Sequence, residues 1–101
     1  MDAIERLRRS INIPVQKAID VEDGFIVVLD YYEAGKLGVW ENLLRIRADG
    51  SVVWKLCTPS SSDMFTDVAW LDGKLVAWTW ECFMVTIDVA SGRILQSVFT
   101  K

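Results

Sequence analysis

The second half of the chain carries a strand pattern that recurs four times between residues 66 and 100. Apolar and polar residues alternate there or form short β-branched and aromatic runs, and no apolar stripe recurs at the three- and four-residue spacing of a helix. Asp72-Gly73 and Ala90-Ser91-Gly92 separate the runs, and such short glycine-containing segments favour tight turns. The pattern therefore predicts four antiparallel strands joined in chain order as a meander.

The first half predicts the same arrangement. Residues 15–22 and 25–32 form two strands joined by a turn at Asp23-Gly24. Residues 31–38, which contain two glycines, form a longer hairpin loop. Residues 39–48 follow as a strand in which apolar and charged positions alternate, which predicts one solvated face.

The two halves form an internal repeat. Residues 51–56 complete the first set of strands, and the Thr-Pro-Ser-Ser-Ser-Asp stretch that comes soon after has linker composition. Asp23-Gly24 falls on Asp72-Gly73 at an offset of 49 residues. The chain is therefore one domain, residues 1–101, with a first repeat at about 15–57, a linker at 58–63 and a second repeat at about 64–100.

Helical periodicity is confined to the N-terminal segment. Apolar residues recur there at Ile4, Leu7 and Ile11, and Pro14 ends the segment. A helix of fewer than about 12 residues is marginal unless tertiary packing holds it. We therefore expect a single short helix within residues 2–12 that covers an edge or end of the sheets. The alternative is an amphipathic arm that docks on a partner.

Length and composition define the class of protein. A chain of 101 residues with 51% hydrophobic side chains, five of them Trp, suits one domain with a substantial core. Its net charge is −3, and phosphate binding draws on clustered Lys and Arg, so nucleic acid is not an expected partner. No apolar run approaches the length of a membrane span, and the charged N-terminus lacks a signal-peptide core. We expect a cytoplasmic protein without a membrane partner.

The residue types behind most enzyme chemistry are missing. The chain has no histidine, which excludes Ser-His-Asp and Cys-His nucleophiles, and it has no glycine-rich phosphate loop. Cys57 and Cys82 lack the spacing and the secretory context of a disulfide, and we expect both to be free. The sequence therefore predicts a non-enzymatic protein without a cofactor or metal.

Catalysis by a pair of carboxylates is not excluded by the missing residue types. Asp67 with Asp88, or Glu41 with Glu81, lie on predicted strands and are candidates for acid and base roles. Nothing in their spacing holds either pair at a catalytic separation. We therefore interpret these residues as solvated strand charges and turn caps.

The tryptophans allow two interpretations. Trp78 and Trp80 share a strand face, and Trp70 is expected near them on the adjoining strand. An exposed row of this kind stacks sugars or anchors a protein, whereas a buried row fills the space between two sheets. Aromatics on central strands usually pack inward, which favours the core. We expect Trp40 and Trp54 to be partly exposed. The candidate binding surface consists of Trp40, Trp54, Tyr31, Tyr32 and Glu41.

Residues 46–54, IRADGSVVW, and residues 87–95, IDVASGRIL, carry a family resemblance. Both resemble the turn between the third and fourth strands of quinoprotein-type β-propeller repeats, in which an Asp, a Gly turn and a closing Trp recur in each blade. The resemblance implies blade-like four-stranded sheets and carries no quinone site. The matching residues are Asp88 and Gly92 in the second copy, with Gln96 at the Trp position, and Gly50 and Trp54 in the first, with Arg47 at the Asp position.

Two blade-like sheets are too few to close a propeller, which takes at least about four. The expected fold is therefore all-β, with two four-stranded antiparallel meander sheets packed as a sandwich or flattened barrel and a short N-terminal helix. Residues 93–100 form an edge strand without proline and with few charges. We expect a homodimer that covers this edge.

These observations lead to three hypotheses about function. The leading one is a small non-enzymatic interaction protein, an accessory or inhibitor subunit of the immunity-protein type, which binds a protein partner or itself. The alternative is a small-molecule or carbohydrate-binding module with a Trp-lined cleft. An enzyme of the carboxylate type ranks third.

Overall fold

The computed structural model describes residues 3–100 as two helices and eight strands. In chain order these are α1 (Ala3–Ile11), β1 (Val15–Val21), β2 (Gly24–Leu29), α2 (Tyr31–Lys36), β3 (Leu43–Arg47), β4 (Val52–Leu56), β5 (Phe65–Leu71), β6 (Lys74–Thr79), β7 (Phe83–Ile87) and β8 (Ile94–Phe99).

The strands form two separate antiparallel sheets. Sheet 1 has the order β1-β2-β3-β4 and sheet 2 has the order β5-β6-β7-β8, so each sheet is a meander of four sequential strands. The predicted fold class is confirmed, and in the described part of the chain the sheets do not close into a barrel.

The main core lies between the sheets. Sheet 1 contributes the inward side chains of Ile26, Val28 and Leu43, which are fully buried. From sheet 2 the buried partners come from β5, β6 and β7, namely Phe65, Val68, Leu75, Ala77, Val85 and Ile87. Because the β-branched and aliphatic residues of two sheet faces meet here, the hydrophobic effect holds the two meanders together.

A second core lies on the other face of sheet 1, beneath α1. Ala3 and Leu7 of α1 and Ile13 after it are buried with β2 and β3 side chains such as Val27 and Leu44. The two faces of sheet 1 are therefore both covered, one by sheet 2 and one by α1. The N-terminal helix packs on a sheet as expected, but it covers a face of sheet 1 and not an edge or end.

The loop predicted for residues 31–38 is wrong in part, because α2 occupies most of it. Asp30 caps this six-residue helix, since its Oδ1 accepts a hydrogen bond from the Glu33 N–H at 2.9 Å. Gly38, with φ +71°, follows the end of the helix. The expectation of a single helix therefore fails, although α2 lies outside both sheets and leaves the all-β class unchanged.

The strand predicted for residues 39–48 is shorter than expected and has no solvated face at its start. Leu43 is buried in the core between the sheets, and the next residue, Leu44, is buried beneath α1. Successive side chains of a strand point to opposite faces, and both faces of sheet 1 are covered here. The charged face that the alternation predicts is limited to the end of β3, where Arg45 is half-buried and Arg47 is exposed.

The two sheets are equivalent at an offset of 50 residues through β1–β2 and β5–β6, one more than the sequence comparison gave. Val21 pairs with Gly24 and Leu71 pairs with Lys74, so the first turn is Glu22-Asp23 rather than Asp23-Gly24. Gly24 lies inside β2, where a Cβ would overlap the carbonyl oxygen of Ile46. The glycine is thus required for a close backbone approach and not for the turn.

The irregularities of the two sheets also match. Register shifts interrupt the β1–β2 pairing between Val15 and Lys17 and the β5–β6 pairing between Phe65 and Asp67, again 50 residues apart. The β3–β4 and β7–β8 pairs also carry one shift each, just before Ile46 and Ile87. Each half of the chain therefore builds the same bulged meander.

Candidate protein-interaction surface

The outward face of sheet 2 is an apolar surface that neither core includes. Residues directly opposite each other in an antiparallel pair share a face, and this rule assigns the outward face from the strand registers. We call it the open face; six of its residues are apolar, two are uncharged polar residues, and Asp67 and Lys74 are charged. It consists of Asp67, Ala69, Leu71, Lys74, Val76, Trp78, Met84, Thr86, Gln96 and Val98. None of these residues belongs to the core between the sheets or to the core beneath α1.

The open face corresponds to a face that sheet 1 buries. At the 50-residue offset Ile26 corresponds to Val76 and Val28 corresponds to Trp78. In sheet 1 these residues pack against sheet 2. In sheet 2 the residues of the same face belong to neither core of residues 3–100. Val76 is buried at 3% exposure, whereas Leu71 and Val98 are exposed. The face that forms part of the core in sheet 1 therefore lies on the outside of the protein in sheet 2.

The expectation that the Trp row fills the space between the sheets is wrong. Trp78 is half-buried on the open face, and Trp80, just beyond the end of β6, is 63% exposed. Trp70 lies on the opposite face, because it pairs with Leu75 rather than with Trp78. The smaller side chains of the other β6 face, Leu75 and Ala77, fill the inter-sheet space instead. Both faces of β6 are apolar, so the pattern alone did not select the inward one.

Strand β8 forms one edge of the open face and of sheet 2. Its residues Leu95 and Phe99 are 61% and 56% exposed, and Phe99 contacts Phe83 of β7 edge to face at 5.4 Å between ring centroids. The sequence prediction of an edge strand here is confirmed by the strand order. The edge carries free backbone groups next to exposed apolar side chains, which is the arrangement that pairs with further strands.

A smaller aromatic cluster lies where α2 meets the β6–β7 turn. The rings of Tyr31 and Trp80 are 5.2 Å apart between centroids, and Tyr32 on the next position of α2 is exposed. The ammonium group of Lys36 lies 5.4 Å from the Tyr32 ring centroid, a cation–π distance. The cluster joins two of the predicted surface residues to a Trp that the sequence assigned to the core.

The other three predicted surface residues, Trp40, Trp54 and Glu41, do not form a single site with this cluster. Trp40 is exposed as expected, and Glu41 is exposed on the rim of a groove beside α1. Trp54, expected to be partly exposed, is buried: its ring packs on Gly92, and its Nε1 donates to the Val89 carbonyl at 2.8 Å. Trp54 therefore contributes to the sheet–sheet contact and not to a surface.

The candidate carboxylates have local partners. Asp67 accepts a hydrogen bond from Lys17 Nζ at 2.8 Å and another from the Val68 N–H, while Asp88 binds the Ser91 hydroxyl and N–H in the β7–β8 turn. Partial burial opposes ionisation of Asp67, but the bonds from Lys17 and Val68 outweigh it and lower its pKa. This environment favours structural ion pairing and capping over acid–base chemistry.

Two of the cavities bear on the alternative hypothesis. An open cleft of about 520 Å³ at the end of sheet 2 is lined by Trp70, Leu75, Ile87 and Leu95, among others. A groove of about 430 Å³ lies between α1 and sheet 1, with mainly aliphatic walls such as Leu7 and Leu44. The first cleft contains one tryptophan and the second contains none, so neither is the Trp-lined cleft of the alternative hypothesis.

Other features bear on chemistry and location. Both cysteines are free, as predicted, and Cys57 is exposed. Within residues 3–100 no three or more Cys, Asp or Glu side chains are grouped so as to hold a metal ion. The same residues contain no helix with the length and apolar character required to cross a lipid bilayer.

Comparison with known proteins gave one match. The model of a family described as Domain of unknown function (DUF7957) matches residues 4–99, which is nearly the whole chain. No curated protein and no solved structure matched the sequence or the fold.

Proposed function

Because the chain belongs to the DUF7957 family, whose function is unknown, we propose a function from its surface: the protein binds another protein through the open face. It acts in the cytoplasm as a non-enzymatic accessory or inhibitor subunit of the immunity-protein type. The observation that carries this proposal is the apolar open face itself, whose counterpart in sheet 1 is a core face.

The chemistry of the open face suits a protein partner. Trp78 and Met84 are half-buried at its centre, and aromatic side chains and Met are the residues enriched at protein interfaces. Leu71 and Val98 are exposed at its borders. Thr86 and Gln96 supply uncharged hydrogen-bonding groups, and Asp67 and Lys74 are its two charged residues. Full burial of one such aliphatic side chain contributes about 1.5–3 kcal/mol. A few of these contacts are enough for a specific complex.

The proposal is tested by recovery of partners from the native cell with tagged protein. Leu71→Glu and Thr86→Lys each place a charge on the open face. We expect either change to lower the recovery of a specific partner at least about tenfold, which corresponds to about 1.4 kcal/mol of binding free energy. Val52→Glu is the matched control, since Val52 lies on an edge strand of sheet 1 and is 38% exposed.

Val52→Glu is expected to recover the partner at the wild-type level. Unfolding midpoints of all three variants separate loss of binding from loss of fold. If folded Leu71→Glu and Thr86→Lys proteins recover the same partner as wild type, the open face is not the docking surface. The same applies if Val52→Glu is as damaging as the open-face variants.

The relation to propeller repeats is also proposed. Trp54 and Gly92 are two of the residues that carry the resemblance, one from each copy, and they pack against each other between the sheets. This contact supports a common origin of the two sheets as blade-like repeats. A determined structure of a longer relative with further copies of the meander tests it; copies that pack without a Trp–Gly contact contradict it.

A further inference from the structure

We propose that β8 pairs with β8 of a second copy of this chain, antiparallel and centred on Ser97, and so joins two copies of sheet 2 into one eight-stranded sheet. This deepens the proposed function and rests on it in one respect, since the dimer extends the open face.

The backbone of β8 presents the required groups on alternate residues. The Thr100 N–H donates to the Cys82 carbonyl at 2.8 Å, which defines a hydrogen-bonded pair at the start of the β7–β8 ladder. Hydrogen-bonded and non-hydrogen-bonded pairs alternate along antiparallel strands. The Met84–Val98 and Thr86–Gln96 pairs are therefore bonded, and the N–H and C=O groups of the intervening β8 residues point away from β7. These residues are Ser97 and Phe99; Leu95 lies at the register shift that follows the Thr86–Gln96 pair and has no partner in the ladder.

The side chains of β8 are self-complementary about Ser97. In the centred antiparallel register Ser97 lies opposite Ser97 of the second copy, and Leu95 lies opposite Phe99. Leu95 and Phe99 are the two most exposed large apolar residues of the strand, and each acquires an apolar partner in this register. On the other face Gln96 lies opposite Val98. Ser97 pairs with Ser97 of the second copy, so its outward N–H and C=O groups both find partners.

The charge pattern also favours a second copy. From Ile94 to Thr100 the strand contains no charged residue and no proline, two of the devices that protect sheet edges. A β-bulge is a third such device, and the register shift of β8 is confined to the N-terminal side of Gln96. Most other edges in this fold carry charges: β1 has Lys17 and Asp20, and β4 has Lys55. An edge that has no charge, proline or register shift from Gln96 to Thr100, and that is complementary to itself, fits a symmetric dimer, because one two-fold axis satisfies both copies at once.

The dimer has a consequence for the open face. An antiparallel strand pair is related by a two-fold axis perpendicular to the sheet, so the open faces of both copies lie on the same side. The two faces then form one continuous apolar platform for the protein partner. Dimerisation and partner binding use neighbouring but separable residues, β8 for the first and positions such as Leu71 and Thr86 for the second.

Disulfide trapping tests the register. In a chain with Cys57→Ser and Cys82→Ser, Ser97→Cys is expected to form a covalent dimer on mild oxidation, because opposite residues of a hydrogen-bonded pair have Cα atoms about 5.5 Å apart, within disulfide range. Gln96→Cys in the same background is the matched control. The two copies of position 96 are offset along the strands by two residues and lie about 8 Å apart, which is beyond that range. We expect at least about tenfold more covalent dimer from Ser97→Cys.

A second variant tests the edge without a crosslink. The Ser97 N–H points away from β7, so Ser97→Pro removes a donor of the proposed dimer and leaves the β7–β8 ladder intact. Light scattering after size-exclusion chromatography should show a dimer for wild type at micromolar concentration and a monomer for Ser97→Pro. The far-ultraviolet circular dichroism of the two proteins should agree.

Several outcomes overturn the proposal. In the crosslinking experiment, they are equal yields of covalent dimer from Ser97→Cys and Gln96→Cys, or a Ser97→Cys protein that is crosslinked to a different protein in place of a second copy. In the light-scattering experiment, they are a monomeric wild type or a dimeric Ser97→Pro protein. Failure of partner binding is seen separately, since Leu71→Glu is expected to remain dimeric. A dimer that recovers no partner therefore contradicts the proposed function and leaves the edge pairing standing.

Discussion

The side chain of Asn42 is joined to the backbone of Phe65 by two hydrogen bonds that cross between the sheets. Asn42 Nδ2 donates to the Phe65 carbonyl at 2.8 Å, and its Oδ1 accepts from the Phe65 N–H at 3.0 Å. Nδ2 also donates to the Leu29 carbonyl at 3.0 Å. Asn42 is fully buried, where water cannot serve as a hydrogen-bond partner. Its side chain therefore supplies the hydrogen bonds that backbone groups of the first residue of β5 and the last residue of β2 require.

We expect Asn42→Ala to destabilise the protein by about 2–4 kcal/mol, because it leaves several buried backbone groups without a partner. Gln16→Ala is the control, since Gln16 Nε2 also bonds across the sheets, to the Thr66 carbonyl, but at an exposed position. That change should cost less than about 1 kcal/mol, as water replaces the lost donor. Urea unfolding of both variants measures the difference. Equal costs would show that the Asn42 bonds do not hold the sheets together.

Gly92→Ala should be more damaging than Gly73→Ala. Both glycines have φ near +77°, so a Cβ strains each backbone by about 1–2 kcal/mol. A Cβ at Gly92 would also lie 2.7 Å from the Trp54 ring, whereas the space around Gly73 is open. Overpacking of this kind adds about 1–3 kcal/mol. Thermal unfolding compares the two variants, and the expectation fails if their midpoints coincide.

Trp78→Ala should cost about 1–2 kcal/mol, since Trp78 is half-buried on the open face and lies outside both cores. Phe65→Ala serves as the core reference. It removes a fully buried ring between the sheets and should cost about 3–5 kcal/mol. Chemical denaturation of both variants provides the comparison. A Trp78 cost equal to that of Phe65 would indicate that the open face is covered in the folded protein.

The Lys17–Asp67 ion pair should make a small pH-dependent contribution to stability. The pKa of Asp67 is lowered in the folded protein below its ordinary value of 3.8, so the unfolded chain takes up the proton first as pH falls. The stabilisation is present above pH 4 and is lost as the pH falls through the lowered pKa. Both side chains are about half exposed, which limits it to less than about 1 kcal/mol.

Asp67→Asn is the variant that isolates this contribution. The difference in unfolding free energy between wild type and Asp67→Asn should be largest near pH 7 and low salt, and should approach zero at acidic pH. High salt should reduce it as well. A difference that grows with acidity would have the wrong sign for a carboxyl group with a lowered pKa.

Local pattern was sufficient for the strands and the N-terminal helix. Alternating and β-branched runs define β1 to β8 because a strand needs only its own residues and its turns to be recognised. The helix over Ala3–Ile11 was predicted in the same way from its apolar spacing. The six-residue α2 was not, since its signal is limited to the Asp30 cap in a segment with two glycines.

The candidate surface was predictable only in part. Tyr32 and Trp40 are exposed, whereas Tyr31 is half-buried against the core beneath α1. The open face was not identified as a surface, because Trp78 on a central apolar strand has the composition of a core. The burial of Trp54 was missed as well, since it depends on Gly92, 38 residues further along the chain.

The sequence by itself determined that this protein is a repeat of two four-stranded meanders with a short amphipathic helix at its start. Periodicity and turn residues specify these elements through contacts between near neighbours. The tertiary structure alone decided which apolar faces are buried. Sheet 1 is covered on both sides, by α1 and by sheet 2, and the residues of the outward face of sheet 2 belong to neither core of residues 3–100. A side chain is buried only when a second surface packs against it, and the alternation of residues along one strand does not specify that second surface.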